Sequence, residues 1–352
     1  MSNFQCIKEI VKKKFSEFKE FDYKFRCEAK DVWDRFLNQL AINPVVYTNQ
    51  ELDYQELYRV EKNFIDIDLS LIGYSNKEPV VVFPFSICSK DNILQLSSYG
   101  LPILAPLFKD DLNNRIKEKL SLIFYEILQN IALHYKIETW TSTESFSNNF
   151  HKSFWNKISI KMGDKIHEIN EGYINLTKSL EEIIHYYKKK KIFQEIKAAS
   201  ILWTVETKNK VNFKEWEEFK NLHIKVSGKQ TRSNKTWKSQ LEDINNNKAI
   251  MIFLYDLDKL IGGAMFRFSN TTALYAIGVF DRELFPKPVS HLAFYIAIKE
   301  LKQKNIKWLK MGDIPNTSDY NNPSNKEISI GFFKKKFSTD IFIKNIIIHK
   351  KW

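Results

Sequence analysis

The sequence has few of the residues that mark secreted, membrane-spanning or disordered proteins. It contains 3 cysteines, 10 glycines and 9 prolines in 352 residues. Cys6, Cys27 and Cys88 form no CxxC pair, which favours reduced thiols over disulfides or a metal site. No apolar run approaches the about 18 residues that a membrane-spanning helix needs, and the N-terminus lacks the apolar segment of a signal peptide. We therefore expect a cytoplasmic protein, with at most peripheral contact at the inner face of the cytoplasmic membrane.

The residues that are abundant are apolar and basic. Hydrophobic residues make up 43% of the chain and aromatic residues 14%, enough for a large core, and 352 residues suggest about two domains. The net charge is +12, and Lys178–Gln240 holds 15 Lys and Arg against 7 Asp and Glu. Such a surface suits RNA, anionic lipid or phosphate-bearing substrates, although lysine runs are also typical of solvated helix ends. The common nucleic-acid modules are absent, with no zinc-finger spacing and no aromatic RNP-type strand, and DNA is not expected as a partner.

The first half of the sequence shows helical and then strand-type periodicity. Residues 1–45 have apolar residues at helical spacing, whereas Phe64–Tyr74 alternates as a half-buried strand does. Two further strand patterns, PVVVFPFSI and ILQLSSYG, precede a long helical pattern at Asp110–Tyr135 and a final strand, IETWTST. The order is β-β-β-α-β. Polar residues at Lys165–Gly172 then suggest a domain boundary.

The same order returns in the second half. Ala249–Phe268 contains two apolar runs around a short polar turn, which predicts a β-hairpin, and Ala273–Phe280 predicts a third strand. SHLAFYIAIKELKQKN predicts a buried helix capped by Ser290, followed by a strand, WLKMGD, that ends at Gly312. Upstream, the sequence predicts one helix over SLEEIIHYYKKKKIFQEIKAA and two more at Asn212–Val226 and Thr236–Asn245.

Three segments of this half resemble the FemAB-type branch of the N-acyltransferase (GNAT-like) superfamily. They are KPVSHLAFYIAIKELKQKNIKWLKMGD, GFFKKKFS and LHIKVSGKQTRSNKTWKSQLEDI. The resemblance implies an α/β (α+β) fold of tandem duplicated GNAT-like domains with mixed β-sheets. The domains would be 1–168, with a helical N-terminal extension, and 169–352, which carries the motifs.

The GFFKKKFS segment supplies the first candidate site residues. The resemblance places Phe333 and Lys334 where the acyl donor meets the amine. A lysine ammonium near the carbonyl would stabilise the oxyanion of the tetrahedral intermediate. The alternative is that Lys334 is a solvated member of a three-lysine run.

The predicted buried helix and the strand after it supply the second group. Ser290 and His291 lie at the helix N-terminus, where free backbone N–H groups can bind an anion or carbonyl oxygen. A lowered pKa would keep His291 neutral and able to act as a base. Asp313 follows Gly312 where the strands of this fold separate, and could accept the amine proton or orient the acceptor. Alternatively His291 holds the preceding loop and Asp313 caps a turn.

The third group is predicted to bind substrate. An arginine fork suits a phosphate, so Arg232, with Lys229 in the same loop, is a candidate for binding a phosphate-bearing small molecule or a lipid-linked acceptor. A solvated loop is the alternative. His223 and Trp237 flank this loop, and Tyr275 lies on the third strand; His223 also fits a purely structural role.

Acyl or aminoacyl transfer to an amine of a cell-envelope sugar or peptide precursor follows from the resemblance. The donor would be a co-substrate, aminoacyl-tRNA or acyl-CoA, with no tightly bound cofactor and no metal. FDRELFPKPVSHL, where typical acetyl-CoA enzymes have a glycine-rich turn, has no glycine, which weakens acetyl-CoA as the donor. Two alternatives are an acyl-CoA- or acyl-carrier-protein-dependent enzyme acting on an amino-sugar nucleotide, and a non-catalytic basic protein that binds RNA or anionic lipid.

Overall fold

The computed structural model describes residues 3–60, 65–90, 93–144, 153–284 and 287–351. The chain combines helices with mixed β-sheets, which confirms the predicted fold class. It divides into two compact units, one made of Met1–Glu168 and Lys344–Trp352, the other of Ile169–Ile343. The assignment of domains to 1–168 and 169–352 stays a prediction.

The described residues of the first unit form five α-helices and the strands β1 to β9. The helices are α1 (Asn3–Ser16), α2 (Lys30–Asn38), α3 (Asn49–Val60), α4 (Asn114–Tyr135) and α5 (Phe154–Lys161). The strands are β1 (Phe21–Phe25), β2 (Ile65–Asp68), β3 (Leu71–Ser75), β4 (Glu78–Phe83), β5 (Ser86–Lys90), β6 (Ile93–Ser97), β7 (Ile103–Leu104), β8 (Leu107–Phe108) and β9 (Thr139–Thr143).

The strands of the first unit form small sheets around α4. One sheet has the order β1-β3-β4-β8 and another has the order β2-β5-β6. β9 pairs in parallel with β7 and antiparallel with Ile346–Lys350 at the chain's end. One face of α4, including Leu120, Phe124 and Leu128, is fully buried in the core of the unit.

The second unit contains six helices, five complete strands and parts of two further strands in its described part. Two strands contain the unit boundaries, β10 (Lys165–Asn175) and β16 (Asp340–Lys350). The other strands are β11 (Thr204–Lys208), β12 (Ala249–Asp256), β13 (Lys259–Phe268), β14 (Thr272–Phe280) and β15 (Trp308–Ile314). The helices are α6 (Leu180–Lys189), α7 (Ile192–Leu202), α8 (Phe213–Ser227), α9 (Asn234–Asn245), α10 (Val289–Gln303) and α11 (Asn325–Phe337).

The sheet of the second unit has the order β11-β12-β13-β14-β15-β10 and is covered on both faces. Only the β14–β15 pair in this series is parallel. On one face α6, α7 and α10 pack on apolar residues such as Ile252 and Phe266. On the other face α8 and α9 pack on Phe253 and Met265. The alternation along β12 and β13 thus builds two cores, one on each side of the sheet.

The N-terminal half differs from the sequence-based expectations in two places. The predicted single strand Phe64–Tyr74 is two strands in different sheets, β2 and β3. The helical N-terminal region is interrupted by β1, whose alternating residues Phe21, Tyr23 and Phe25 pair with β3. Hydrophobic periodicity predicts the secondary structure of short segments poorly, because only a few residues define the repeat.

The C-terminal half differs in its element boundaries. The polar segment 165–172, where the sequence suggests a domain boundary, is part of strand β10. The helix expected from Ser179 onward is two helices, separated where Lys191 takes a left-handed backbone conformation, φ 61°. Ser290 is not the cap of α10, since the helix begins at Val289 with Pro288 before it. Nor does β15 end at Gly312, because it continues to Ile314.

Candidate functional site

Strands β14 and β15 separate soon after they pair. They share a parallel register only at Thr272–Leu274 with Trp308–Lys310. Beyond these pairs β14 stays with β13, while Gly312–Ile314 of β15 pairs with Asn170–Gly172 of β10. A gap therefore opens between Tyr275–Phe280 and the end of β15. Where two paired strands part, backbone N–H and C=O groups no longer bond to the neighbouring strand and can instead meet a ligand.

A bulge at Gly312 shapes the β15 side of the gap. Gly172 faces Gly312 and Tyr173 faces Lys310, so Met311 is an extra residue in β15. Gly312 has φ 96°, a conformation that residues with a Cβ rarely adopt. The glycine is therefore required by the backbone itself.

Lys334 lies directly over this bulge. Its Nζ donates a hydrogen bond of 3.3 Å to the carbonyl oxygen of Asp313, and a Cβ on Gly312 would lie 3.1 Å from the same Nζ. Helix α11 can approach β15 this closely because Gly331 packs against the ring of Pro315. A half-buried ammonium is thus held at the edge of the gap.

The three consecutive lysines of α11 have different surroundings. Lys336 is ion-paired, with its Nζ 2.6 Å from Glu195 Oε2. Lys335 is exposed. Lys334 alone of the three donates to the backbone of β15 among the described contacts. The catalytic role of Lys334 stays a prediction. The position of Lys334 differs from that of a solvated lysine.

His291 lies in the first turn of α10 among aromatic rings. Its ring centroid is 5.6 Å from that of Phe333 and 5.1 Å from that of Phe337. Burial lowers the pKa of His291 to about 4, although Glu195, with Oε2 3.0 Å from Nε2, acts in the opposite direction. Burial is the larger effect and favours the neutral imidazole, while the Glu195 carboxylate stays within 3.0 Å of Nε2.

Tyr275 is placed on the β14 side of the gap. Its ring lies 4.8 Å from that of Phe294, the aromatic residue that also contacts Phe333. A Cβ on Gly278 would collide with the Tyr275 hydroxyl, so this glycine leaves room for the tyrosine along its own strand. Burial raises the pKa of Tyr275, which keeps the phenol protonated. Ser290 lies one residue before His291 and is half-buried.

A polar cluster on β10 and β15 was missed by the sequence reasoning. Glu171 faces Asp313 in the strand register and is 2% exposed. Its Oε1 lies 2.7 Å from Lys310 Nζ, and its Oε2 accepts a 2.5 Å hydrogen bond from the Tyr173 hydroxyl. Burial and the charge of Glu171 raise the pKa of Tyr173 well above its usual value. Glu171 and Tyr173 are two residues apart, the spacing of neighbours on one face of a strand, and this spacing could have indicated the cluster. The polar character of the segment instead suggested a domain boundary.

A separate group of residues lies where α8 ends and α9 begins. Arg232 Nη1 is 3.2 Å from His223 Nε2, and its guanidinium carbon lies 5.6 Å from the centre of the Trp237 ring. Burial, and then the charge of Arg232, lowers the pKa of His223 to about 4, so His223 accepts this hydrogen bond as a neutral imidazole. Ser233 caps α9 immediately after the arginine, while Lys229 is exposed. The arginine is therefore packed and oriented.

The predicted site residues thus fall into two groups. Lys334, Asp313, Phe333, His291 and Tyr275 are connected through contacts around the gap. Arg232, His223 and Trp237 form the second group. Within the described ranges, no group of three or more His, Cys, Asp or Glu side chains is arranged to hold a metal ion. In the same ranges, no helix has the length and hydropathy needed to cross a membrane.

Comparison with known proteins shows similarity in fold. No family model matches the sequence, and no curated protein matches it. The structure is similar to that of FemX, with a TM-score of 0.65 at 12% identity over 93% of this chain and 96% of FemX. A conserved protein of unknown function from Bacteroides thetaiotaomicron VPI-5482 gives a TM-score of 0.55 at 9% identity, over 94% of this chain and 100% of that one.

A third structure is itself a tandem acyltransferase. The tandem GNAT protein from the clavulanic acid biosynthesis pathway gives a TM-score of 0.51 at 10% identity, over 94% of this chain and 98% of that one. The predicted tandem GNAT-like architecture and the FemAB-type resemblance are thereby confirmed at the level of fold.

Proposed function

We propose that this protein transfers an acyl or aminoacyl group to the amine of a cell-envelope sugar or peptide precursor. The observation that carries the proposal is the Lys334 ammonium held over Gly312, at the gap between β14 and β15, in a chain with the fold of FemX. In this proposal, 1–168 and 169–352 are the two GNAT-type domains, and the catalytic site belongs to the second.

The reaction begins when the acceptor's neutral amine attacks the carbonyl carbon of the donor. A C–N bond forms and the carbonyl π electrons move to oxygen. A positive charge beside that oxygen lowers the barrier, because it stabilises the tetrahedral intermediate more than the ground state. Lys334 has the position for this role. The intermediate then collapses by breaking the bond to the leaving alcohol or thiol.

The amine must lose one proton, and the leaving group must gain one. His291 is a candidate for carrying this proton, because burial keeps its imidazole neutral. Asp313 is the second candidate, and Glu171 faces it across the strand pair. Lys310 and Tyr173 bind Glu171, so they hold that carboxylate in place. Ser290, Phe333 and Tyr275 would bound the site for the donor's acyl group.

The acceptor is proposed to carry phosphate, either as a small molecule or as a lipid-linked precursor. Arg232 supports this, since its guanidinium is oriented by His223 and Trp237. Lys229 would add positive charge in the same loop. We propose aminoacyl-tRNA or acyl-CoA as the donor. No tightly bound cofactor is invoked, and the site of action would be the cytoplasm or the inner face of its membrane.

One experiment separates this proposal from its alternatives. Purified protein is incubated with radiolabelled aminoacyl-tRNA or acyl-CoA and with an amino-sugar nucleotide or a muramyl-peptide precursor, and product is followed by mass spectrometry. Transfer from tRNA, or from acyl-CoA to the muramyl-peptide precursor, supports the main proposal. Transfer from the thioester to the amino-sugar nucleotide supports the alternative enzyme. Binding of tRNA with a steep salt dependence and no transfer would support a non-catalytic binding protein.

A further inference from the structure

The first unit contains a surface pocket that is separate from the residues discussed above. It has a volume of about 560 Å³, and its walls include Ile160 and Ile166. Its polar lining includes Asn156, Asn345, Asp164 and Glu168. None of the described residues that line it is Lys or Arg. The pocket thus combines apolar walls with acidic and amide groups.

The amide groups are oriented by a buried carboxylate behind them. Asn156 Nδ2 donates a 2.6 Å hydrogen bond to Glu144 Oε2, and the Ser153 hydroxyl donates to Oε1. Burial raises the pKa of Glu144 to about 7, and a hydrogen bond from the Asn345 side chain acts against this. Turning either amide around would place its oxygen against the carboxylate oxygens. Both amide nitrogens therefore point to Glu144.

This orientation leaves the two amide oxygens without partners. Asn156 Oδ1 and Asn345 Oδ1 are buried, and neither has a hydrogen-bond partner in the part of the chain that the structure describes. Asn156 as a whole is only 1% exposed. Buried acceptors are almost always satisfied in folded proteins, so a group that donates hydrogen bonds is expected here.

The charges beside these oxygens indicate which donor fits. Asp164 has a side chain 4% exposed, and its Oδ2 is held by the Tyr125 hydroxyl and by His349 Nδ1. Glu168 adds a second carboxylate at the surface. A primary ammonium donates three hydrogen bonds and carries the complementary charge. The isoleucines suit an attached alkyl chain.

We propose that this pocket binds a primary alkyl ammonium ion, with the ammonium at Asn156 and Asn345 and the alkyl chain against Ile160 and Ile166. This site is independent of the acyl-transfer proposal, because it lies within the first unit and uses none of the residues of the gap. Its ligand class would be small organic amines or the end of a lysine-like side chain.

The test is a calorimetric titration of the full-length protein at pH 8. The probes are n-butylammonium, 1-butanol and butyrate, which share the alkyl chain. Charge-assisted hydrogen bonds should make butylammonium bind at least about tenfold more tightly than butanol, and butyrate should not bind. Equal affinities for butylammonium and butanol, or no saturable binding of any probe, would show that water alone satisfies the amides and would overturn the proposal.

A substitution at the rim provides a second readout. Ile160 is 47% exposed, so Ile160→Lys should fold and place its own ammonium in the pocket. We expect butylammonium binding to be lost and the melting temperature to be unchanged or higher. Leu133, 46% exposed on α4, gives the matched control Leu133→Lys, which should bind as the wild type does. Unchanged butylammonium binding in Ile160→Lys would show that the ammonium binds elsewhere and would contradict the proposal. If this variant is unstable, the preference of the wild-type protein for butylammonium over butanol and butyrate still tests the proposal.

Discussion

Lys334 and Gly312 lie side by side, with Lys334 Nζ 3.1 Å from the position that a Cβ on Gly312 would take. The glycine adopts a left-handed conformation, and the same residue marks the bulge after which β15 pairs with β10 but no longer with β14. The feature that opens the gap also makes room for the lysine beside it. This coupling between backbone shape and charge position leads to the first two predictions.

Replacing Lys334 with methionine should abolish most of the proposed acyl transfer. The substitution keeps most of the side-chain volume but removes the charge beside the oxyanion. Turnover should fall by about a hundredfold or more, the usual loss when one oxyanion donor is removed. The melting temperature should change little, because Lys334 is only half-buried. Steady-state transfer assays and thermal melts check both expectations.

Lys335→Met is the matched control for Lys334→Met, because Lys335 is exposed on the same helix. Lys336→Met is not a neutral control, since it breaks the ion pair with Glu195, whose carboxylate also lies beside His291. If Lys334→Met and Lys335→Met retain equal activity, Lys334 has no special role in transfer.

Adding a methyl group at Gly312 should damage both stability and activity. In Gly312→Ala the backbone strain costs about 1–2 kcal/mol of unfolding free energy, and the new Cβ lies 3.1 Å from Lys334 Nζ. The lysine must shift, so turnover should fall severalfold or more. Gly163→Ala is the control: it has φ 81° and open space around its Cβ position. It should lose similar stability but no activity, and equal activity losses would contradict the contact argument.

Local periodicity was sufficient to predict most of the second unit. The hairpin of β12 and β13, the strand β14 and the buried helix α10 follow from apolar runs long enough to define their period. The candidate residues Lys334, Asp313 and His291 were also identified, since the motifs that contain them are contiguous in sequence.

The remaining features depend on contacts between distant segments. Glu171 became a candidate only once β10 paired with β15, and a polar strand alone gives no indication of its partner. The same holds for Asn156. Its side-chain oxygen is left without a hydrogen-bond partner only because its nitrogen donates to Glu144, twelve residues away in the sequence. In the same way, Gly312 could be read as the end of a strand until the pairing of β15 with β10 showed a bulge. Strand pairing is non-local, so sequence patterns of a few residues do not determine it.

Replacing Arg232 with lysine should weaken acceptor binding selectively. Lysine keeps the charge but loses the planar fork that suits phosphate and that packs over Trp237. The acceptor KM should rise about ten- to a hundredfold, while the donor KM stays constant. Lys238→Met, at an exposed position on α9, removes a charge from the helix that follows the Arg232 loop and should leave both constants unchanged. An unchanged acceptor KM in Arg232→Lys would assign Arg232 a structural role.

His291 should make the stability of the protein depend on pH in the acid range. Its pKa is lowered from 6.5 to about 4 in the folded protein, chiefly by burial. Between these two values the unfolded chain binds the proton and the folded protein does not. Unfolding is therefore favoured as the pH falls from about 6.5 to 4, by up to about 3 kcal/mol for this residue. This value already includes the opposing effect of Glu195, whose Oε2 lies 3.0 Å from Nε2 and favours the protonated form.

The comparison of the wild type with His291→Gln isolates this contribution, because glutamine does not titrate and the similarly shifted His223 is present in both proteins. Urea denaturation at pH 7.5, 5.5 and 4.5 gives the unfolding free energy of each protein. The advantage of the wild type over the variant should shrink steadily as the pH falls. His185→Gln, which changes an exposed histidine on α6, is the control for the substitution itself. A constant difference for His291→Gln would mean that burial does not lower the pKa of His291 in the folded protein, and it would contradict this prediction.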